Sequence, residues 1–117
     1  MKENIVKDKS YAFALRIIKL YKFLSEEKKE YVLSKQILRC GTSIGANIEE
    51  ADSAPSKRDF INKLNISLKE AKETRYWLRL LHDSQYIDSK SFESILPDTE
   101  ELIKLLISII KSSKEAS

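Results

Sequence analysis

The sequence predicts an all-α protein folded as an antiparallel up-and-down four-helix bundle. Three observations carry this. Helix breakers are scarce, with only two glycines and two prolines in 117 residues, far fewer than an average chain holds. Apolar residues recur at steps of three and four, the period of a helix with one buried face. Short polar connectors separate the periodic stretches, and short connectors join antiparallel neighbours. The length suits one domain spanning residues 1–117, which closes a single core without disulfide or metal.

The first helix is predicted over residues 9–25. Phe13, Ile17, Leu20 and Leu24 form its stripe, with Ala14, Ile18 and Tyr21 beside it, while Leu15 and Phe23 lie off it. The polar remainder is narrow, mainly Arg16, Lys19 and Lys22, so this helix wants more than one neighbour. Ser25-Glu26-Glu27-Lys28-Lys29-Glu30 is a charged connector without an apolar residue.

The second helix is predicted over residues 31–53, burying Leu33, Ile37, Cys40, Ile44, Ile48 and Ala51. Both glycines lie inside it, Gly41 and Gly45, four apart and therefore on one face. Each costs a helix roughly 1 kcal/mol relative to alanine, and close approach of another backbone is the usual compensation. Gly41 and Gly45 are read as a packing seam.

Ser53-Ala54-Pro55-Ser56 breaks the chain, and Ser56 with Asp59 resembles a capping box. The third helix is predicted over residues 57–83, with a core stripe of Phe60, Leu64, Leu68, Ala71, Leu78 and Leu81. The opposite stripe is Arg58, Asn62, Asn65, Lys69, Lys72, Tyr76 and Arg79, polar throughout and free of acids.

The fourth helix is predicted over residues 89–113, capped by Asp88 or Ser89, with a kink or restart at Pro97 and fraying beyond Lys111. Leu102, Ile103, Leu105, Leu106, Ile107, Ile109 and Ile110 are apolar almost all round. With the first helix, that is more apolar surface than one bundle covers, which argues for a homo-oligomer.

Net charge is only +3, unevenly spread. Residues 1–39 hold ten Lys/Arg against five acids, residues 56–79 seven against three, and residues 80–103 one against six. Segregation of this kind fits a nucleic-acid partner better than the small total does. No apolar run reaches a membrane span, and mixed charge follows Met1 where a signal core would be apolar, so the expected location is cytoplasmic. A single cysteine, Cys40, suits a reducing compartment.

No catalytic set assembles from the sequence, and neither an enzyme nor a cofactor is predicted. One histidine, His82, and one cysteine cannot make a zinc site. A Cys40–His82 nucleophile pair is conceivable, but Cys40 falls on a buried stripe where free cysteine behaves as a small hydrophobe. Glu49, Glu50 and Asp52 with Glu70 and Glu73 suggest a carboxylate cluster. However, di-metal bundles need Glu-x-x-His, which is absent. Pairing with Arg39 and Arg75 is the plainer role for these acids. Gly41-Thr42-Ser43-Ile44-Gly45 lacks the Lys-Ser/Thr of a phosphate loop. The best functional candidate is the cationic face of Arg58, Lys69, Lys72 and Arg79. Lys35 and Arg39 on the second helix, and Arg16, Lys19 and Lys22 on the first, are possible additions.

From Arg39 to Ala51, and again at Ser56-Lys57-Arg58-Asp59-Phe60-Ile61-Asn62-Lys63-Leu64 and from Leu68 to Leu78, the chain resembles a known family. These are four-helix bundle proteins encoded in intervening sequences of bacterial 23S ribosomal RNA genes and elsewhere in bacterial genomes. The resemblance covers nearly the whole chain. It implies an up-and-down bundle assembling as a ring, commonly a pentamer, with no known reaction. The accessory protein of diversity-generating retroelements is similar in fold. It forms a pentamer that binds nucleic acid and a reverse transcriptase through basic surfaces. The resemblance therefore leaves two expectations: a non-enzymatic oligomer binding RNA or DNA, or a structural adaptor docking a protein such as an element-encoded enzyme.

Overall fold

The computed structural model describes residues 2–116. Four helices pack into an elongated bundle of 48 × 22 × 19 Å, and no strand occurs among the described residues. They are α1 (Lys2–Lys22), α2 (Leu33–Asp52), α3 (Lys57–Asp83) and α4 (Ser89–Glu115). Each of α1 and α3 packs against both α2 and α4, so α1 and α3 lie across the bundle from each other.

α1 starts at Lys2, a full two turns before the predicted start at residue 9. Val6 and Ser10 extend the Phe13–Ile17 stripe backwards at the same spacing, and both are buried. The polar residues around them hid that continuation. The helix then widens into a π turn over Phe23–Glu27, which keeps Leu24 buried and takes in the first half of the predicted connector. Lys29, with φ of 55°, makes the corner. Glu30 supplies the cap that α2 lacks at Val32, accepting from the amides of Ser34 (2.7 Å) and Val32 (3.2 Å). α2 thus begins at Leu33 and not at residue 31.

α3 runs over the predicted residues because its start is locally encoded. Ser56 Oγ accepts from the Asp59 amide at 3.1 Å and donates to the Asp59 carboxylate at 2.9 Å. Gln85, with φ of 68°, turns the chain out of α3. Asp88 then caps α4 through the Ser91 amide at 2.7 Å, a bond that holds its carboxyl below the ordinary range. α4 continues without a restart at Pro97 and without ending at residue 113. The carbonyl that loses its donor to Pro97 belongs to Glu93, one turn back, and both residues are exposed.

The core draws on every helix, from Phe13 and Ile17 through Ile44 and Leu78 to Leu102 and Leu106. The hydroxyl residues Ser10, Ser34, Ser67, Thr74 and Thr99 are also buried, and two of them lie at the α2–α3 contact. Ser67 donates across to the Ile44 carbonyl at 2.8 Å, and Thr74 donates to Glu70 O one turn back at 2.8 Å. Both are buried completely. The seam prediction is observed at close quarters. A Cβ built on Gly41 would lie 2.7 Å from Ile17 Cγ1, and one on Gly45 3.2 Å from Ser10 Oγ.

The apolar surplus is smaller on α4 than the sequence suggests. Leu102, Ile103, Leu106, Ile109 and Ile110 are buried, Leu105 is half-buried, and Ile107 alone of that run is exposed. On α1 the surplus stands: Tyr11 (66%), Leu15 (54%) and Ile18 (37%) are exposed on one outward face.

Candidate nucleic-acid interface

α3 is 27 residues long, and its stripe from Arg58 to Arg79 spans ~31 Å along the helix at 1.5 Å per residue. Arg58, Asn62, Asn65, Lys69, Lys72, Tyr76 and Arg79 are all exposed. None of its four cations closes a salt bridge, whereas acids engage the cations around it. The acid-free run ends at Asp83, one turn past Arg79 and paired with His82 at 3.4 Å.

The chain's five arginines divide sharply. Arg16 bonds Asp98 at 2.6 Å and Ser94 on α4. Arg39 bonds Glu70 at 2.9 Å and also Glu73. Arg75 bonds Glu100 at 3.2 Å. The two arginines without a carboxylate are Arg58 and Arg79, at the ends of the stripe. Arg39 is therefore not a free member of the cationic face but a clamp between α2 and α3. Lys35 is exposed on α2, with no acid in salt-bridge reach.

The acids sort partly as predicted. Glu70 and Glu73 serve Arg39, but Glu49 and Glu50 serve neither Arg39 nor Arg75. Glu49 lies 3.6 Å from Lys7, and Glu50 bonds Lys63 at 2.9 Å. Arg75 turns to α4 because it flanks α3 on the side away from α2. Glu73 accepts from Trp77 Nε1 at 3.1 Å, and that bond together with Arg39 holds its carboxyl below the usual carboxylate range. Asp52 holds the Lys7 ammonium above its ordinary value and ties the start of α1 to the end of α2.

Cys40 and His82 are not brought together. Cys40 is buried against Thr74, whose hydroxyl lies 3.2 Å from its sulfur. His82 stacks on Phe92 at 4.3 Å between centroids and contacts Ser89 Oγ at 3.0 Å. No group of metal-ligating side chains occurs among the described residues. The cleft of about 610 Å³ at the α3–α4 corner contains His82, Asp83 and Asp88, each already engaged by a neighbour.

Burial pushes the Cys40 thiol up to about 11 from an ordinary 9.0. Alkylation of the native protein by iodoacetamide near pH 8 is therefore expected to be at least ~100-fold slower than in denaturant, because the thiolate is both scarce and covered. Thiol counting over time checks this, and equal rates would show the site open. The neutral thiol is favoured in the fold, so this contribution to stability is complete below the unfolded value. It is lost as pH rises from about 9 towards 11.

Helices packed about one core, with a long cationic face, define a small helical-bundle protein with a charged surface. The chain belongs to the 23S rRNA-intervening sequence protein family, whose model matches residues 2–108. It is similar to a crystal structure of a protein of unknown function from the S23 ribosomal protein family of Bacteroides thetaiotaomicron VPI-5482. The two are 66% identical, with a TM-score of 0.94 over 95% of this chain and 99% of that one. No curated protein matches the chain. No helix among the described residues is long and apolar enough to cross a membrane.

Proposed function

We propose that this protein is a non-enzymatic, cytoplasmic homo-oligomer that binds RNA or DNA through the exposed cationic face of α3. The observation that carries the reading is the division of arginines: three are bonded to acids, and the two that are not sit on one face with Lys69 and Lys72. Unpaired cations repeated along a helix meet phosphates at little cost, since no existing ion pair must break first. Filter binding to RNA and DNA at two salt concentrations tests it. Binding that weakens as salt rises is expected, and no binding at low ionic strength overturns it.

The assembly we favour is a ring of antiparallel up-and-down bundles, with a pentamer as the first expectation. Residue pairs support the up-and-down arrangement. Arg39 meets Glu70 and Glu73 while Glu50 meets Lys63, and Lys9 meets Glu101 while Arg16 meets Asp98. Partner numbers fall as helix numbers rise. The exposed Tyr11, Leu15 and Ile18 of α1 support self-association. Because α1 and α3 lie across the bundle, that contact leaves the cationic face clear. Light scattering at micromolar concentration should give a multiple of 13.5 kDa for the native chain and 13.5 kDa for a Leu15→Glu, Ile18→Glu variant. A native monomer overturns the ring.

The same apolar face supports a second reading, a structural adaptor that docks a protein such as an element-encoded enzyme. If the α1 variant stays oligomeric, and a pull-down resistant to nuclease captures a protein that the variant does not, the adaptor replaces the ring.

A further inference from the structure

We infer that Tyr76 is a stacking platform for an unpaired nucleobase, so that the α3 face takes single-stranded nucleic acid in preference to duplex. This rests on the nucleic-acid reading above and narrows it to a substrate class. Tyr76 is the only aromatic residue of the cationic stripe and is 52% exposed. Lys72 lies one turn before it and Arg79 one turn after, at ~6 Å and ~4.5 Å along the axis. Both cations are exposed.

The ring is also seated. It meets Trp77 edge-on, with centroids 5.3 Å apart and planes at 70°. Trp77 is in turn fixed by Glu73, which Arg39 of α2 engages. A braced ring costs less to order against a base than a free one. No hydrogen bond of the Tyr76 hydroxyl occurs among the described residues, and the side chain is left half open to a ligand.

The other exposed tyrosines of the chain lack this setting. Tyr11 shares its face with Leu15 and Ile18, and Tyr31 stands beside Val32 at the α1–α2 corner. Lys28 and Lys35 flank Tyr31 in the sequence, but Tyr31 lies outside the helices; only Tyr76 has, on its own helix face, a cation without a salt bridge a turn away on either side.

A single strand can place a splayed base on an aromatic ring with flanking phosphates on the neighbouring cations. A duplex keeps its bases stacked inside, so it meets the cations and gains nothing from the ring. RNA and DNA single strands share this chemistry.

Fluorescence anisotropy on the full chain tests the inference. The probes are an oligouridylate, an oligothymidylate and a mixed-sequence DNA duplex of matched length, all at low salt. The native chain is expected to favour both single strands over the duplex. Tyr76→Ala should lose roughly tenfold in affinity for single strands and none for duplex, while Tyr76→Phe should keep both. A loss confined to the oligouridylate would also support the platform and assign it to RNA. Trp77, the only tryptophan, should change its emission with single strands and not with duplex. Tyr76 is exposed, so the alanine variant should melt with the native chain, which separates lost stacking from lost folding. If Tyr76→Ala binds single strands as the native chain does while Lys72→Gln, Arg79→Gln weakens all three probes, the platform is overturned and the nucleic-acid reading stands. If the native chain binds none of the probes at low salt, both are overturned.

Discussion

Gly41→Ala is expected to destabilise the bundle by about 1–2 kcal/mol, the cost of overpacking less the helix propensity gained. The new methyl would lie 2.7 Å from Ile17 Cγ1, 2.9 Å from Cγ2 and 3.1 Å from Cδ1. Ile17 has nowhere to retreat, because it is completely buried and a β-branched side chain in a helix holds one χ1 rotamer. The clash is therefore met by separating α1 from α2, which opens the core around Phe13 and Ile44. For a domain of this size the melting temperature should fall by roughly 5 °C or more. Gly41→Leu should leave no cooperative transition at all. A double-mutant cycle with Ile17→Ala locates the effect, since removing both γ carbons removes the clash. A coupling of about 1 kcal/mol or more is expected. A Gly41→Ala protein that melts at or above the native temperature sinks the argument.

Gly45 gives the contrast. Its Cβ would sit 3.2 Å from Ser10 Oγ and 3.5 Å from the Ser10 carbonyl carbon and Cβ. A hydroxyl can give by a few tenths of an ångström, although this one donates to Lys7 O at 3.0 Å. Gly45→Ala should thus stay within about 0.5 kcal/mol of native, the propensity gain offsetting the squeeze. Gly45→Leu sends longer carbons against the α1 backbone and should disturb folding or assembly. The two glycines look equivalent in the sequence, yet only Gly41 faces a branched side chain.

That difference marks how far the sequence could be read. Of the predicted α2 stripe, Ile37, Cys40, Ile44, Ile48 and Ala51 are buried and Leu33 is half-buried at the helix start, because a 3.6-residue period is a local property. The start of α3 is local too, written by Ser56 and Asp59. The start of α1 was hidden because Val6 stands among charged residues and Ser10 carries a hydroxyl. Partner choice was hidden for a different reason. The carboxylate that Arg75 reaches depends on which helix lies on which side of α3, and no spacing within one helix contains that. Arg39 is the opposite case: pairing with acids that included Glu70 and Glu73 was read from the sequence, and those two are the ones it meets. Exposure of the α3 stripe was legible, whereas which of its surrounding cations remain unpaired required all four helices in place.

The second large effect follows from that pairing. Lys69→Gln, Lys72→Gln, Arg79→Gln is expected to remove most nucleic-acid binding without lowering the melting temperature. These side chains are exposed and close no salt bridge, and like charges one turn apart on a helix repel. Four phosphate contacts per subunit on a single strand give a log–log salt slope near −2.8, so affinity should drop roughly 50-fold between 50 and 200 mM salt. With Arg58 alone remaining, the slope should approach −0.7 and the drop about threefold. Net charge does not explain such a result if the control behaves as expected. Lys90→Gln, Lys104→Gln, Lys111→Gln removes as many charges from exposed positions on α4, taking the same +3 chain to neutrality. It should bind nearly as the native chain does. If both variants lose binding equally, the attraction is diffuse and α3 is no interface. If the α3 variant binds with the native slope, the stripe is only a solvated helix face. A steep native slope that collapses in the α3 variant alone places the phosphates along Arg58 to Arg79.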